Sequence, residues 1–95
     1  MILEHALLQI LPGRESEFED AFARARHLIE ASPGFRDLRL LPCVEDRSRY
    51  LLLVEWERLD DHVDGFRGGT SYPQWKALLH HFYEPFPEVD HYRTN

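Results

Sequence analysis

The chain has 95 residues, of which 43% are hydrophobic and 13% aromatic, which suits one folded domain and excludes a disordered segment. Lys and Arg number 11 against 17 Asp and Glu, and the net charge of −6 argues against nucleic acid or an anionic membrane as a partner. Cys43 is the single cysteine, so an intrachain disulfide is excluded; with no leader-like N-terminus and no membrane-length apolar run, we expect a cytoplasmic protein.

The first part of the chain predicts a strand, a helix and a hairpin of two further strands. Residues 2–10 are apolar on both alternations, which indicates a strand covered on both sides. Apolar residues at helical spacing then predict a helix over residues 14–31, which ends at Pro33-Gly34. Residues 35–44 and 49–57 predict an antiparallel hairpin around a short polar turn.

The run at residues 49–57 predicts a central strand, because it is largely apolar and contains neither glycine nor proline. Its alternation puts Tyr50 and Trp56 on one face and Leu51 and Leu53 on the other. A strand with two apolar faces needs a covering layer on each side, and so short a chain supplies helices for one. We therefore expect a second copy of the chain to cover the other face.

The last part of the chain predicts a broken helix and a final strand. Leu59-Asp60-Asp61 opens a short helix, which Gly68-Gly69 interrupts. A further helix follows with Pro73 in its first turn, and residues 88–93 form the last strand. In the short helix four residues share one predicted face: Leu59, His62, Val63 and Phe66.

This order of elements, β-α-β-β-α-β, predicts one α+β domain over residues 1–95 with a ferredoxin-like split βαβ fold. Four antiparallel strands would carry both helices on one face. The opposite face would expose Leu3, Leu7, Leu51 and Leu53. Soluble monomers rarely expose so large an apolar patch. A homodimer through this face is the prediction, and a monomer with an exposed apolar sheet is the alternative.

The chain resembles the antibiotic biosynthesis monooxygenase family of small dimeric α/β barrels over nearly its whole length. The resemblance rests on the order and spacing of five short segments: Pro12-Gly13, Pro33-Gly34-Phe35, Val54-Glu55-Trp56, His62 with Phe66-Arg67, and Ser71-Tyr72-Pro73-Gln74-Trp75. It implies oxidation of a phenolic or quinol-type aromatic substrate by dioxygen, without flavin, metal or another cofactor. The deprotonated substrate would give an electron to dioxygen directly.

Such chemistry needs a dry aromatic pocket and a group that takes and returns a proton. We expect the pocket between the sheet and its helices, with His62 as the general base; a histidine that merely packs in the core is the other interpretation. The predicted substrate-binding residues are Trp56, Tyr50, Phe66, Arg67, Tyr72, Trp75 and His81.

Other functions are open or disfavoured on specific residues. No compact set of His, Cys and Asp has metal-ligand spacing, and His80 and His81 diverge on a helix, with His80 expected at the surface. The heme-degrading branch of the family uses an asparagine on the first strand, where this chain has Ala6; its only asparagine is Asn95. A non-catalytic dimer that binds a small apolar ligand, or a stress-linked accessory protein, is the alternative function.

Overall fold

The computed structural model describes residues 1–94 and contains, within them, four strands and two α-helices. Asn95 lies outside the described residues. A π-helical segment (Asp61–Phe66) precedes the second α-helix, and a 3₁₀ turn (His80–Phe82) follows it. The elements in chain order are β1 (Ile2–Gln9), α1 (Glu15–Glu30), β2 (Phe35–Pro42), β3 (Arg49–Trp56), α2 (Tyr72–Leu79) and β4 (Val89–Arg93).

The strands form one antiparallel sheet in the order β2-β3-β1-β4, with the helices on one face. This arrangement confirms the predicted α+β ferredoxin-like fold. The predicted central strand, β3, lies between β2 and β1, and β4 is an edge strand. No helix in the described chain combines the length and the apolar composition needed to cross a membrane.

The helix-covered face of the sheet holds the core of the domain. Alternation places Ala6 and Leu8 of β1 on this face, where they pair with Leu52 and Tyr50 of β3. All four side chains are buried. Full burial of a leucine side chain contributes about 1.5–3 kcal/mol, so Leu8 and Leu52 in this layer stabilise the fold.

The opposite face of the sheet is apolar and uncovered in the single chain, as predicted. Leu7 of β1 is 53% exposed, Leu41 of β2 40% and Tyr92 of β4 49%. Leu51 and Leu53 of β3 lie between them and are half-buried by their neighbours. The apolar outer face is therefore defined here as Leu3, Leu7, Leu41, Leu51, Leu53 and Tyr92.

The π-helical segment corrects one sequence prediction. His62 and Phe66 are buried, whereas Leu59 and Val63 are 43% and 38% exposed, so the four residues do not share one face. The prediction assumed α-helical spacing, but the Arg67 N–H donates to the carbonyl of His62, five residues earlier, at 2.9 Å. The wider turn keeps His62 and Phe66 inward and rotates the other two outward.

Gly34 holds the turn between α1 and β2 against this same segment. Its φ is +84°, and a Cβ at this position would collide with the carboxylate of Asp61. We expect Gly34→Ala to lower the free energy of unfolding by about 2–4 kcal/mol, since it combines a left-handed backbone with a steric overlap. Urea unfolding of the purified variant measures this.

Gly13→Ala is the matched control for that substitution. Gly13 has φ +88°, but a Cβ there would meet no atom within 4 Å. Only the backbone term of about 1–2 kcal/mol applies to it. Equal losses in the two variants would show that the contact with Asp61 does not constrain Gly34.

Candidate functional site

A cavity of about 350 Å³ lies between the sheet and the helix layer, within the range of small-ligand pockets. Its floor is formed by β1 and β3 through Ala6, Leu8 and Leu52. Its remaining walls come from the π-helical segment, α2, the 3₁₀ turn and the chain before β4. The polar and aromatic groups on these walls are Glu4, His62, Phe66, Arg67, Tyr72, Trp75, His80, Tyr83 and Phe86.

The aromatic wall of the cavity is a set of rings in edge-to-face contact. The Phe66 ring lies 5.5 Å from that of Tyr72 and 5.4 Å from that of Trp75, at angles of 77° and 88°. His80 contacts Tyr72 from the other side at 5.8 Å. Rings locked in this way present flat apolar surfaces that suit a planar aromatic ligand.

A buried carboxyl group, Glu4, enters the cavity from β1. Strand alternation points it to the helix-covered face together with Ala6, and the residue is 5% exposed. Trp56 Nε1 donates to its Oε1 at 3.0 Å, and His62 Nε2 lies 3.3 Å from the same oxygen. The Trp56 ring stacks on that of His62 at 5.4 Å and 17°, which fixes the orientation of the imidazole.

A second histidine, His91, extends this group. Nδ1 of His62 lies 2.8 Å from Nε2 of His91, a hydrogen bond whose donor depends on the tautomers of the two rings. His91 pairs with Glu4 across β1 and β4, so both side chains lie on the same face of the sheet. Glu4, His62 and His91, called the Glu4–His62–His91 chain below, thus form a continuous row of polar contacts.

Burial sets the protonation states in this row. It raises the pKa of Glu4 to about 7, against the hydrogen bond from Trp56 and the charge of Arg67, which lower it. It lowers the pKa of His62 to about 3, and the charges of Arg67 and His91 act in the same direction. Near neutral pH the imidazole is therefore uncharged, and Glu4 is the member of the pair that titrates there.

Five of the predicted site residues line the cavity: His62, Phe66, Arg67, Tyr72 and Trp75. Trp56 does not reach it, because its ring is fully buried behind His62 and acts on the site through Glu4. The assumption of an ordinary pKa for His62 is also replaced by a strongly lowered one. Neither of its ring nitrogens lacks a partner, since Glu4 and His91 engage one each.

Tyr50 and His81 were predicted at the cavity, and the structure places them elsewhere. The Tyr50 hydroxyl donates to Glu19 Oε2 at 2.5 Å, and its ring packs on Phe18 at 5.1 Å, so it faces α1. His81 is exposed and packs on Phe82. The α-helix ends at Leu79, and the tighter 3₁₀ turn after it directs the first of the two adjacent histidines inward instead of the second.

Five polar or aromatic residues at or beside the site were missed by the sequence prediction: Glu4, His80, Tyr83, Phe86 and His91. Glu4 carried a signal, because it is the one charged residue on the inward alternation of the first strand. His91 carried none, since its place beside Glu4 depends on the β1–β4 register. Among residues 1–94, no three His, Cys, Asp or Glu side chains form a group that could hold a metal ion.

Comparison with known sequences connects this chain to one family. The profile of the antibiotic biosynthesis monooxygenases matches residues 1–78. An uncharacterized protein of Bacillus subtilis, YczJ, is 52% identical over 93 residues, 98% of each chain. A mycobilin-producing heme oxygenase of Mycobacterium tuberculosis is 36% identical over 64 residues, which are 67% of this chain and 60% of that protein.

Solved structures show the same fold. A Bordetella bronchiseptica protein assigned to the antibiotic biosynthesis monooxygenases superposes with a TM-score of 0.93 and 33% identity, over 99% of this chain and 96% of that one. SnoaB of Streptomyces nogalater, a cofactor-independent oxygenase, superposes with a TM-score of 0.86 over 99% and 92%. Its 18% identity supports the shared fold alone.

Proposed function

The chain belongs to the antibiotic biosynthesis monooxygenase family, and we propose that it oxidises a phenolic or quinol-type aromatic compound with dioxygen, without flavin or metal. The observation that carries the proposal is the buried Glu4–His62 pair on the wall of an otherwise aromatic cavity. Substrate deprotonation makes the ring electron-rich enough to reduce dioxygen. In a monooxygenation, one oxygen atom enters the substrate and the other leaves as water.

The aromatic wall would hold the substrate ring. Phe66, Tyr72 and Trp75 contact one another edge to face and leave apolar surface toward the cavity. A planar ring bound there would be desolvated, which strengthens its electrostatic contacts with the few polar groups on the walls. A phenolic hydroxyl could then lie against the polar side of the cavity, where Glu4 and His62 are found.

The Glu4–His62 pair would take the proton of the substrate. Glu4 Oε1 is held by Trp56 and His62, which leaves Oε2 as the oxygen available to a ligand. Burial raises the Glu4 pKa to about 7, which suits a group that must both accept and return a proton near neutral pH. His62, our predicted base, would act through this pair, because burial keeps its own pKa low.

Arg67 would stabilise the anions of the reaction. It lines the cavity, and its charge lowers the pKa of Glu4 and of both histidines in the row. A cation in the lining of the cavity favours a bound phenolate or a reduced oxygen species over the neutral form. The chain as a whole has a net charge of −6, whereas Arg67 puts a positive charge at the cavity.

We further propose that the whole chain, residues 1–95, is a single domain that works in the cytoplasm as a homodimer. The apolar outer face supports the dimer, since an exposed sheet face of this kind is unusual in monomers. The one cysteine, Cys43, fits a reducing compartment. The second copy and a small aromatic molecule are then the partners of this protein.

A non-catalytic ligand-binding dimer is the second candidate function. The observation that favours it is that the protein already occupies both ring nitrogens of His62, which a catalytic base must free. Heme degradation is the activity of the Mycobacterium relative. In this chain Ala6 stands where the heme-degrading branch has its first-strand asparagine, and it lies buried in the floor of the cavity. Heme degradation here would therefore have to proceed without that asparagine. Titration with heme, followed by its absorbance, tests that branch directly.

Oxygen uptake with hydroquinones such as menadiol tests the proposed function. We expect oxidation faster than the buffer control, and His62→Ala should reduce the rate by about 10²-fold or more if His62 belongs to the acid–base group. His27→Ala, an exposed histidine of α1, is the matched control and should keep the wild-type rate. Tight ligand binding without accelerated oxidation would establish the binding protein instead.

A further inference from the structure

The Glu4–His62–His91 chain leads from the cavity to the edge of the sheet. Glu4 and His62 line the cavity, whereas His91 is outside its lining and lies on the edge strand β4. The His62–His91 contact of 2.8 Å is a hydrogen bond, whereas the 3.3 Å between His62 Nε2 and Glu4 Oε1 is slightly longer than a typical hydrogen bond and has to shorten before a proton passes. His91 is also less buried than the other two members, so it is the end of the row nearest to water.

We infer that His91 is a proton-transfer residue, which carries the substrate proton from the Glu4–His62 pair to solvent at the β4 edge. The inference rests on the proposed oxidation and adds to it a residue that does not touch the substrate. The register of the sheet supports it, because the pairing of Glu4 with His91 leaves His62 to bridge the two from the π-helical segment.

Each step of the transfer can be balanced. Glu4 begins protonated at Oε1; the substrate hydroxyl gives its proton to Oε2 while the Oε1 proton passes to Nε2 of His62, so the carboxyl group stays neutral. Nδ1 of His62 then gives its proton to Nε2 of His91, whose Nδ1 releases one to water. Both imidazoles end neutral, with exchanged tautomers.

The second half of the reaction restores the row. Insertion of one oxygen atom from dioxygen produces one water molecule, and its formation requires protons at the oxygen that leaves. A proton that returns along the same path supplies one and reverses both tautomers. No net proton is consumed by a monooxygenation of this kind, so the row needs no other reset.

The charges around the row keep its imidazoles neutral between transfers. Arg67 lowers the pKa of both His62 and His91, in addition to burial, while Asp90 opposes this at His91. Tyr83 lines the same cavity as a neutral phenol, since burial raises its pKa. A relay of neutral groups passes a proton on instead of storing it, which is the property that the path requires.

His91→Ala tests the relay. We expect the rate of menadiol oxidation to fall by about 10–10²-fold with little change in KM, less than the loss for a group in direct contact with the substrate. Added imidazole, which can enter the space left at the β4 edge, should restore part of the rate. A larger solvent deuterium isotope effect in the variant would mark proton release as the slowed step.

Three outcomes are distinguished by one set of measurements with His27→Ala as the control. A slow variant that imidazole rescues supports the relay. A wild-type protein that oxidises menadiol, with His91→Ala at the same rate, overturns the relay and leaves the proposed oxidation standing. A wild-type protein that oxidises no hydroquinone overturns both the relay and the proposed oxidation.

Discussion

Glu4→Gln is expected to lower the rate of substrate oxidation by about 10²–10⁴-fold, the range of a lost general acid–base group. The glutamine has the shape of the glutamate, so its carbonyl oxygen, in the place of Oε1, can still accept from Trp56 Nε1 and lie against His62 Nε2. The cavity and its aromatic wall are then preserved, and only the ability to take a proton is removed. Oxygen uptake with menadiol measures the loss, and ligand binding should stay near the wild-type level.

The same substitution should change how stability depends on pH. In the folded protein the Glu4 pKa is raised from 4.5 to about 7, so the folded state holds this proton more tightly than the unfolded state. Its contribution is complete below pH 4.5 and is lost as pH rises through about 7, a loss of about 3 kcal/mol. Glu4→Gln removes this term, so we expect the variant to gain stability relative to wild type as pH rises.

The lowered pKa of His62 changes stability with pH in the opposite direction. Its folded value lies below the usual 6.5, so it contributes stability above pH 6.5 that is lost as pH falls toward about 3. The two terms cancel in slope between pH 4.5 and 6.5, and the Glu4 term acts alone above 6.5. Because the loss of the Glu4 term is complete by about pH 7, urea unfolding of wild type and Glu4→Gln compared from pH 4.5 to 7 isolates it.

Glu55→Gln is the matched control for the oxidation rate. Glu55 lies on β3 on the other face of the sheet, opposite Leu3, and is away from the cavity. It should leave the oxidation rate unchanged. If Glu4→Gln retains the wild-type rate, the Glu4–His62 pair is not the acid–base group. If the free energy of unfolding of wild type and Glu4→Gln changes equally with pH, the Glu4 pKa is not raised.

Leu7→Glu is expected to separate the proposed homodimer into monomers. Leu7 belongs to the apolar outer face and, at 53%, is its most exposed leucine in the single chain. In a two-fold dimer it occurs twice, so the loss of about 1.5–3 kcal/mol for each copy doubles. At about 1.4 kcal/mol for each tenfold change in Kd, the dissociation constant should rise by about 10²–10⁴-fold.

Sedimentation equilibrium over a range of protein concentrations measures this dissociation. Val63→Glu is the matched control, because Val63 is 38% exposed but belongs to the π-helical segment on the helix side of the sheet. It adds the same charge to a chain that is already acidic. Wild-type protein that sediments as a monomer at micromolar concentration would contradict the dimer, and equal effects of the two variants would place the interface elsewhere.

The fold could be predicted from the sequence because its signals are local. Alternation in residues 2–10 and 49–57, helical spacing from Phe18 to Ile29, and the glycine and proline stops fix each element within its own segment. The aromatic wall followed from the same patterns, since Phe66, Tyr72 and Trp75 lie on elements that must pack against the sheet.

The errors came from assuming regular α-helices. The π-helical hydrogen bond to His62 and the 3₁₀ turn after Leu79 rotate side chains by a fraction of a turn, which exchanged the predicted places of His80 and His81 and exposed Val63. The predicted place of Tyr50 at the cavity was wrong for a different reason. It is on the predicted face of β3, but Phe18 and Glu19 of α1 fill the space above it.

By itself the sequence determined the order of elements, the family, the two apolar faces of the sheet and the histidine at position 62. Only the tertiary structure decided the chemistry around that histidine. Glu4, His62 and His91 come from the first strand, a helical turn and the last strand, and they meet through the β1–β4 register and the entry angle of a π-helical segment. Their shifted pKa values arise from burial in three dimensions, a property that no single segment of the chain carries.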